Sequence, residues 1–219
     1  NPDLQQRLLR LRHNTVHLAP LKNLHPSRRG WLIERLRMVA DTTGITEFTV
    51  HPDEVTEDAW QQITDQLPAD IVLSVENMDP RKRNCRTLGE MQALLDNYPQ
   101  LRLTFDLCHW LEEGGSSSSV EMLEFFKRYG ERITKIHFSV PRSSHESYGD
   151  IAPGFTSHFL AANSDVWVSQ AFFDALPQGI RWVSEGLVPL RGVKLLKAEL
   201  YQLNRLSYRP GTERRAAVG

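Results

Sequence analysis

Leu101-Arg102-Leu103-Thr104-Phe105-Asp106-Leu107-Cys108-His109-Trp110 is the stretch whose reading decides the fold. Its apolar residues predict a buried strand over 101–110, and that strand delivers a carboxylate and an imidazole, Asp106 and His109, to its own C-terminal end. A loop of Gly114, Gly115 and four serines follows. Packing alone gives no reason to place two ionisable groups there. The same design, an apolar run ending in Glu, Asp or His, recurs along the chain at the spacing of (β/α) units.

Outward from that stretch, strands are predicted over 15–18, 48–51, 71–76, 133–140 and 180–185. Helices are predicted over 3–12, 28–43, 56–67, 87–97, 120–130, 166–176 and 193–206, with Thr87 and Ser119 as N-caps and Gly44 as a C-cap. A long connection, 141–164, is rich in Ser, His and Gly. Six strand–helix units in strict alternation predict an α/β protein with a parallel sheet and crossover helices. No glycine-rich phosphate turn follows any strand, which disfavours a doubly wound nucleotide-binding sheet. Polar residues at the end of every strand favour a (β/α) TIM-type barrel, whose active site is assembled there. A closed barrel has eight strands and six are visible. The expectation is therefore one barrel domain over 1–208 lacking its first two strands, the more so because the chain begins Asn1-Pro2, with a mobile tail over 209–219. An irregular six- or seven-stranded barrel is the other option.

The 219 residues carry 26 basic and 27 acidic side chains, a net charge of −1, so there is no global pull towards nucleic acid or an anionic membrane. Two cysteines, Cys85 and Cys108, cannot build a disulfide framework, and no apolar run reaches the ~20 residues of a membrane span. A reducing, cytoplasmic setting is the economical expectation.

The predicted strand ends bring together His17, His51, Glu76, Asp106 with His109, His137, and Glu185. Carboxylates and imidazoles from different elements, converging on one mouth, are what a divalent ion requires, and such a mixed set admits manganese, cobalt, zinc or magnesium. Here the residues resemble a family. Val75-Glu76-Asn77, Phe105-Asp106-Leu107-Cys108-His109, Ile136-His137-Phe138-Ser139 and Val183-Ser184-Glu185 look like successive motifs of the xylose-isomerase-like TIM-barrel superfamily. It holds sugar isomerases, epimerases, some dehydratases and the endonuclease IV type of DNA-repair nuclease.

The resemblance implies a common metal site of Glu76, Asp106, His137 and Glu185. In the isomerase and epimerase branch, Glu76 and Glu185 are also the acid–base pair and His109 a substrate contact. In the nuclease branch, His17, His51, His109 and His145 are further ligands of a three-metal cluster. That pattern puts an aspartate where this chain has Ser143, a poor ligand. On these grounds the sequence reads first as a metal-dependent isomerase or epimerase moving a proton alpha to a carbonyl of a small polyhydroxylated substrate, such as a sugar, in a chain able to form homo-oligomers. Its alternatives are an endonuclease IV-like phosphodiesterase on damaged DNA and a barrel without catalytic function.

Several features carry a plainer meaning beside the functional one. Arg81, Lys82, Arg83 and Arg86 follow Glu76 and suit either a solvated loop or an anion clamp. Gly114–Ser119 reads as a lid or as a loop ending in a cap. Trp110 and Trp182 suit a sugar-facing wall or packing, and Cys108 suits packing.

Overall fold

The computed structural model describes residues 15–18, 29–53, 55–141, 158–161, 168–186 and 193–207. Six strands run in parallel in the order of the chain: β1 (Val16–His17), β2 (Glu47–Val50), β3 (Val72–Glu76), β4 (Arg102–Asp106), β5 (Ile133–Phe138) and β6 (Arg181–Ser184). Between and after them lie α1 (Arg29–Thr43), α2 (Glu57–Gln66), α3 (Leu88–Asn97), α4 (Leu107–Glu112), α5 (Val120–Tyr129), α6 (Gln170–Ala175) and α7 (Val193–Ser207). The predicted helix 3–12, the tail 209–219, Ser143 and His145 lie outside the described residues.

Helix starts follow local chemistry. Thr56, Thr87, Ser119 and Ser169 each accept an N–H from the first turn, of Ala59, Glu90, Met122 and Phe172 respectively. Thr87 and Glu90 complete a capping box, which satisfies two otherwise orphaned donors. Behind the sheet, Phe105, Phe126 and Phe172 pack with Trp182, Phe138 and Phe173 in a continuous aromatic layer, with Phe105 and Phe126 edge to face at 4.8 Å. Trp182 thus lies on the helix-covered face and is packing, not a wall of the mouth.

The other face of the sheet is concave, and its polar contacts prove the curl. Glu47 of β2 reaches Lys135 of β5, with Oε1 2.9 Å from Nζ, and also pairs with Arg181 of β6. Flat sheet neighbours three and four strands apart could not touch. One layer up, the Thr49 and Thr104 hydroxyls meet at 3.1 Å from β2 and β4. The strands therefore form a curled half-barrel with a polar bore, ionic at its base and hydroxyl-lined in the middle.

Two predicted elements come out differently. The strand of 101–110 ends at Asp106, because Asp106 Oδ1 accepts the N–H of His109 at 2.8 Å and so caps α4. His109 is on that short helix, not on a strand. Cys108 is buried there and accepts the His158 N–H. The strand of 133–140 ends at Phe138, after which Val140 exchanges two backbone hydrogen bonds with Phe159, at 3.0 and 2.9 Å.

Candidate metal centre

The ligand-type side chains of the mouth, His158 apart, come from strand ends or from the residues just after them. Glu76 closes β3, and parallel pairing sets Asp106 of β4 opposite His137 of β5. The backbone pairing of β6 extends one residue further, as the Glu185 N–H donates to the Phe138 carbonyl. Glycine follows Glu185 for a steric reason. A Cβ at Gly186 would lie 2.3 Å from Leu160 Cδ2.

Glu76, 1% exposed, is the centre of the arrangement. Its Oε1 accepts from His137 Nδ1 at 2.9 Å, while His17 and His51 bring Nε2 to 3.1 and 3.4 Å from Oε2. Glu185 Oε1 lies 3.0 Å from the same His137 Nδ1, and its Oε2 lies 3.6 Å from His158 Nδ1. Asp106 Oδ2 stands 3.8 Å from His109 Nδ1 and 4.0 Å from His137 Nδ1. The donors fall into three groups: His17, His51 and Glu76; Glu76, Asp106, His137 and Glu185; Asp106, His109 and His158. Within each, the ligand atoms lie within 4.8 Å of one another. Glu76 and Asp106 each serve two groups.

The donor set fits a divalent cation. Glu76 Oε2 and Asp106 Oδ2 are buried carboxylate oxygens without a hydrogen-bond partner among the described residues. Leaving such atoms unsatisfied costs several kcal/mol, on the order of a charged group's lost partner. Both face imidazole nitrogens, the composition expected of a cation site.

The electrostatics of these side chains point the same way. Burial alone would raise the Glu76 carboxyl, yet the imidazoles of His137, His17 and His51 hold it well below the usual range. Asp106 is pushed well above its usual value by burial and then by the charges of Glu76 and Glu185. Burial would lower His137, but the hydrogen bonds it donates to Glu185 and Glu76 push it up to about 10. A group whose folded pKa exceeds its unfolded 6.5 contributes stability that is whole below pH 6.5 and is lost as the pH rises towards 10. The raised Asp106 acts in the same direction. Chelator-treated protein should therefore melt at progressively lower temperature from pH 6.5 to 10; a melting temperature rising over that window would contradict the assignment.

Of the residues the sequence singled out, His17, His51, Glu76, Asp106, His109, His137 and Glu185 converge here. His158 also belongs, and it was missed. It follows the long irregular connection, and its backbone sits at φ 62°, a left-handed conformation held by the Val140–Phe159 bridge and a 3.0 Å hydrogen bond between its ring and Ser139. The one signal available was a histidine directly before an apolar pair, Phe159-Leu160.

The basic cluster is already engaged at the rim. Arg81 binds Asp79 at 2.7 Å with Glu112 at 3.6 Å, Lys82 stands 3.6 Å from Asp53, and an Arg86 guanidinium nitrogen donates to the Pro80 carbonyl. The Gly114–Ser119 loop is pinned rather than lid-like: the Trp110 indole donates to the Ser116 carbonyl, and Ser117 Oγ accepts the Ser169 N–H. Trp110 is buried beneath it.

No family model matches the chain, and no curated protein matches it. Solved structures do. The probable 3-DHS dehydratase AsbF, involved in petrobactin synthesis, from Bacillus anthracis is similar at 15% identity and a TM-score of 0.63, over 93% of this chain and 82% of that one. The structure described as AsfvAP:AG is similar at 16% identity and a TM-score of 0.68, over 95% of this chain and 80% of that one. A xylose isomerase domain protein from Planctomyces limnophilus aligns at 12% identity and a TM-score of 0.49, over 82% of this chain and 67% of that one. At such identities the likeness is one of fold, and the shared fold is a curled sheet of parallel strands alternating with helices, as in a TIM-type barrel. Among the described residues no helix is long and apolar enough to cross a membrane.

Proposed function

We propose that this chain is a metal-dependent phosphodiesterase of the endonuclease IV kind, with damaged DNA as the first substrate to test. The observation that carries this reading is the sharing of Glu76 and Asp106 between three groups of ligand-type side chains. Proton transfer at carbon needs a carboxylate that is free to take the proton. Here both oxygens of Glu76 face imidazole nitrogens, which suits a bridging ligand better than a base.

The residues that would hold the ions are His17, His51 and Glu76; Glu76, Asp106, His137 and Glu185; and Asp106, His109 and His158. Divalent ions there would supply Lewis-acid polarisation of the phosphoryl group and stabilise charge on the leaving oxygen. The side chain of Glu185 is 25% exposed against 1% for Glu76, so it can meet a water molecule. His137 keeps it ionised against the opposing effect of burial. Glu185 is thus the carboxylate placed to take the proton of an attacking water. With a net charge of −1 the grip on a duplex is local to the mouth.

The second reading is the isomerase or epimerase, or a dehydratase, on a small polyhydroxylated substrate. It is favoured by the four-residue group itself, in which Glu76 and Glu185 flank His137 at 2.9 and 3.0 Å, and by a fold neighbour described as a probable dehydratase. Elemental analysis on protein purified without chelator separates the two. Three metal equivalents per chain with cleavage of an abasic-site duplex are expected. One equivalent and no cleavage would hand the site to proton transfer, and none would leave a barrel without this catalytic function.

A further inference from the structure

Strand pairing between β3 and β4 runs Ser74 to Arg102, Val75 to Leu103 and Glu76 to Thr104, and there the main chain of β3 runs out of partners. β4 continues to Asp106, whose N–H and C=O on that side would be left buried and unpaired. The side chain of Asn77 takes over. Its Oδ1 accepts the Asp106 N–H at 2.7 Å and its Nδ2 donates to the Asp106 carbonyl at 2.8 Å. The carbonyl of Asn77 accepts from His109 Nδ1 at 2.8 Å. A carbonyl can only accept, so Nδ1 carries the hydrogen and Nε2 is the ring nitrogen left to face a ligand.

We infer that Asn77 is the positioning residue of the mouth, a two-point clamp that orients Asp106 and fixes the tautomer of His109. The inference rests on the metal-centre reading above. Asn77, Asp106 and His109 are buried, and Asp106 has one oxygen committed to capping α4 while the other stays free. Rotation of the Asp106 backbone would therefore swing the free oxygen out of both groups that use it. Asparagine alone suits the place. Aspartate lacks the donor and sets a carboxylate against the Asp106 carbonyl, and glutamine is longer by a methylene.

The test is Asn77→Asp, which keeps the shape and the acceptor and replaces the Nδ2 donor by a carboxylate oxygen, with Asn77→Ala beside it. Zinc binding is followed by calorimetry and melting temperature by circular dichroism. Amide exchange at Asp106 and the His109 ring nitrogens are read by NMR on chelated protein. Expected is affinity about 10–100-fold weaker at the sites that use Asp106, with binding through His17, His51 and Glu76 retained. Fast exchange confined to Asp106 is expected in Asn77→Ala, which loses the acceptor, and a mixed His109 tautomer in both variants. Unchanged zinc affinities, or equal weakening of every site in step with a fall in melting temperature, would overturn the inference. Should the wild-type chain bind no zinc, the metal reading fails by itself. The clamp is then judged on exchange and tautomer in Asn77→Ala: loss of both upholds it, and their persistence overturns it.

Discussion

Glu76→Gln is expected to abolish turnover while leaving a folded chain. The amide keeps the volume of the carboxylate and removes its charge from two of the three ligand groups at once. It also sets an NH2 either against His137 Nδ1, now 2.9 Å from Oε1, or against the His17 and His51 nitrogens at 3.1 and 3.4 Å. In the first case a donor faces a donor. In the second the NH2 points into a cluster that requires acceptors. Metal-ion catalysis is worth several kcal/mol of transition-state stabilisation, which corresponds to a loss on the order of 10³-fold in kcat.

The accompanying loss of metal separates the ligand role from a purely acid–base one. Glu76→Gln should retain at most one of three equivalents, through Asp106, His109 and His158. Glu185→Gln removes a ligand of one group only and should keep more metal while losing comparable activity. Elemental analysis and single-turnover assays on both variants check this. Full activity with full metal content in Glu76→Gln would remove the bridging assignment.

Most of the barrel was legible because its strands are short apolar runs with turn residues at both ends and capping side chains beyond them. Thr87 with Glu90 and Ser119 mark their helices without any tertiary information. The strand-end carboxylates were legible for the same reason: an ionisable group at the end of an apolar run has nowhere to go but the mouth. What escaped was decided by tertiary contacts. Asp106 reads as a strand residue, yet its own side chain caps the next turn and ends the strand. A spacing of three between a cap residue and the N–H it receives is readable in Asp106…His109, but the apolar Leu107 and Cys108 between them favour continuing the strand. His158 sits in a left-handed backbone conformation that no periodicity encodes. Asn77 looks like a turn residue after Glu76, and only the register of β3 against β4 shows what its amide completes.

Lys135 was the least legible of all. Within Ile133-Thr134-Lys135-Ile136-His137 a lysine suggests a solvent-facing position, yet it is 1% exposed and lies in the bore. Its ammonium meets Glu47, which Arg181 also binds. Burial would raise the Glu47 carboxyl, but Lys135 and Arg181 hold it below its usual value. Glu47→Gln is expected to destabilise the fold by about 3–5 kcal/mol, because it leaves a buried ammonium with no counter-charge. Lys135→Met should cost less, since Glu47 keeps Arg181, whose side chain is 34% exposed and can share solvent. The double variant Glu47→Gln/Lys135→Met should regain part of the loss, because the buried ammonium is gone and the one charge left, Arg181, is 34% exposed. Urea midpoints for the three variants check the ranking. A Glu47→Gln protein as stable as wild type, or a double variant worse than the sum of the singles, would refute it. The consequence reaches the mouth. Glu47, Lys135 and Arg181 stand on the strands that lead to His51, His137 and Glu185, four, two and four residues further on. An ionic base that ties β2 to β5 and β6 therefore holds at one height the strands whose ends supply those three ligand-type groups.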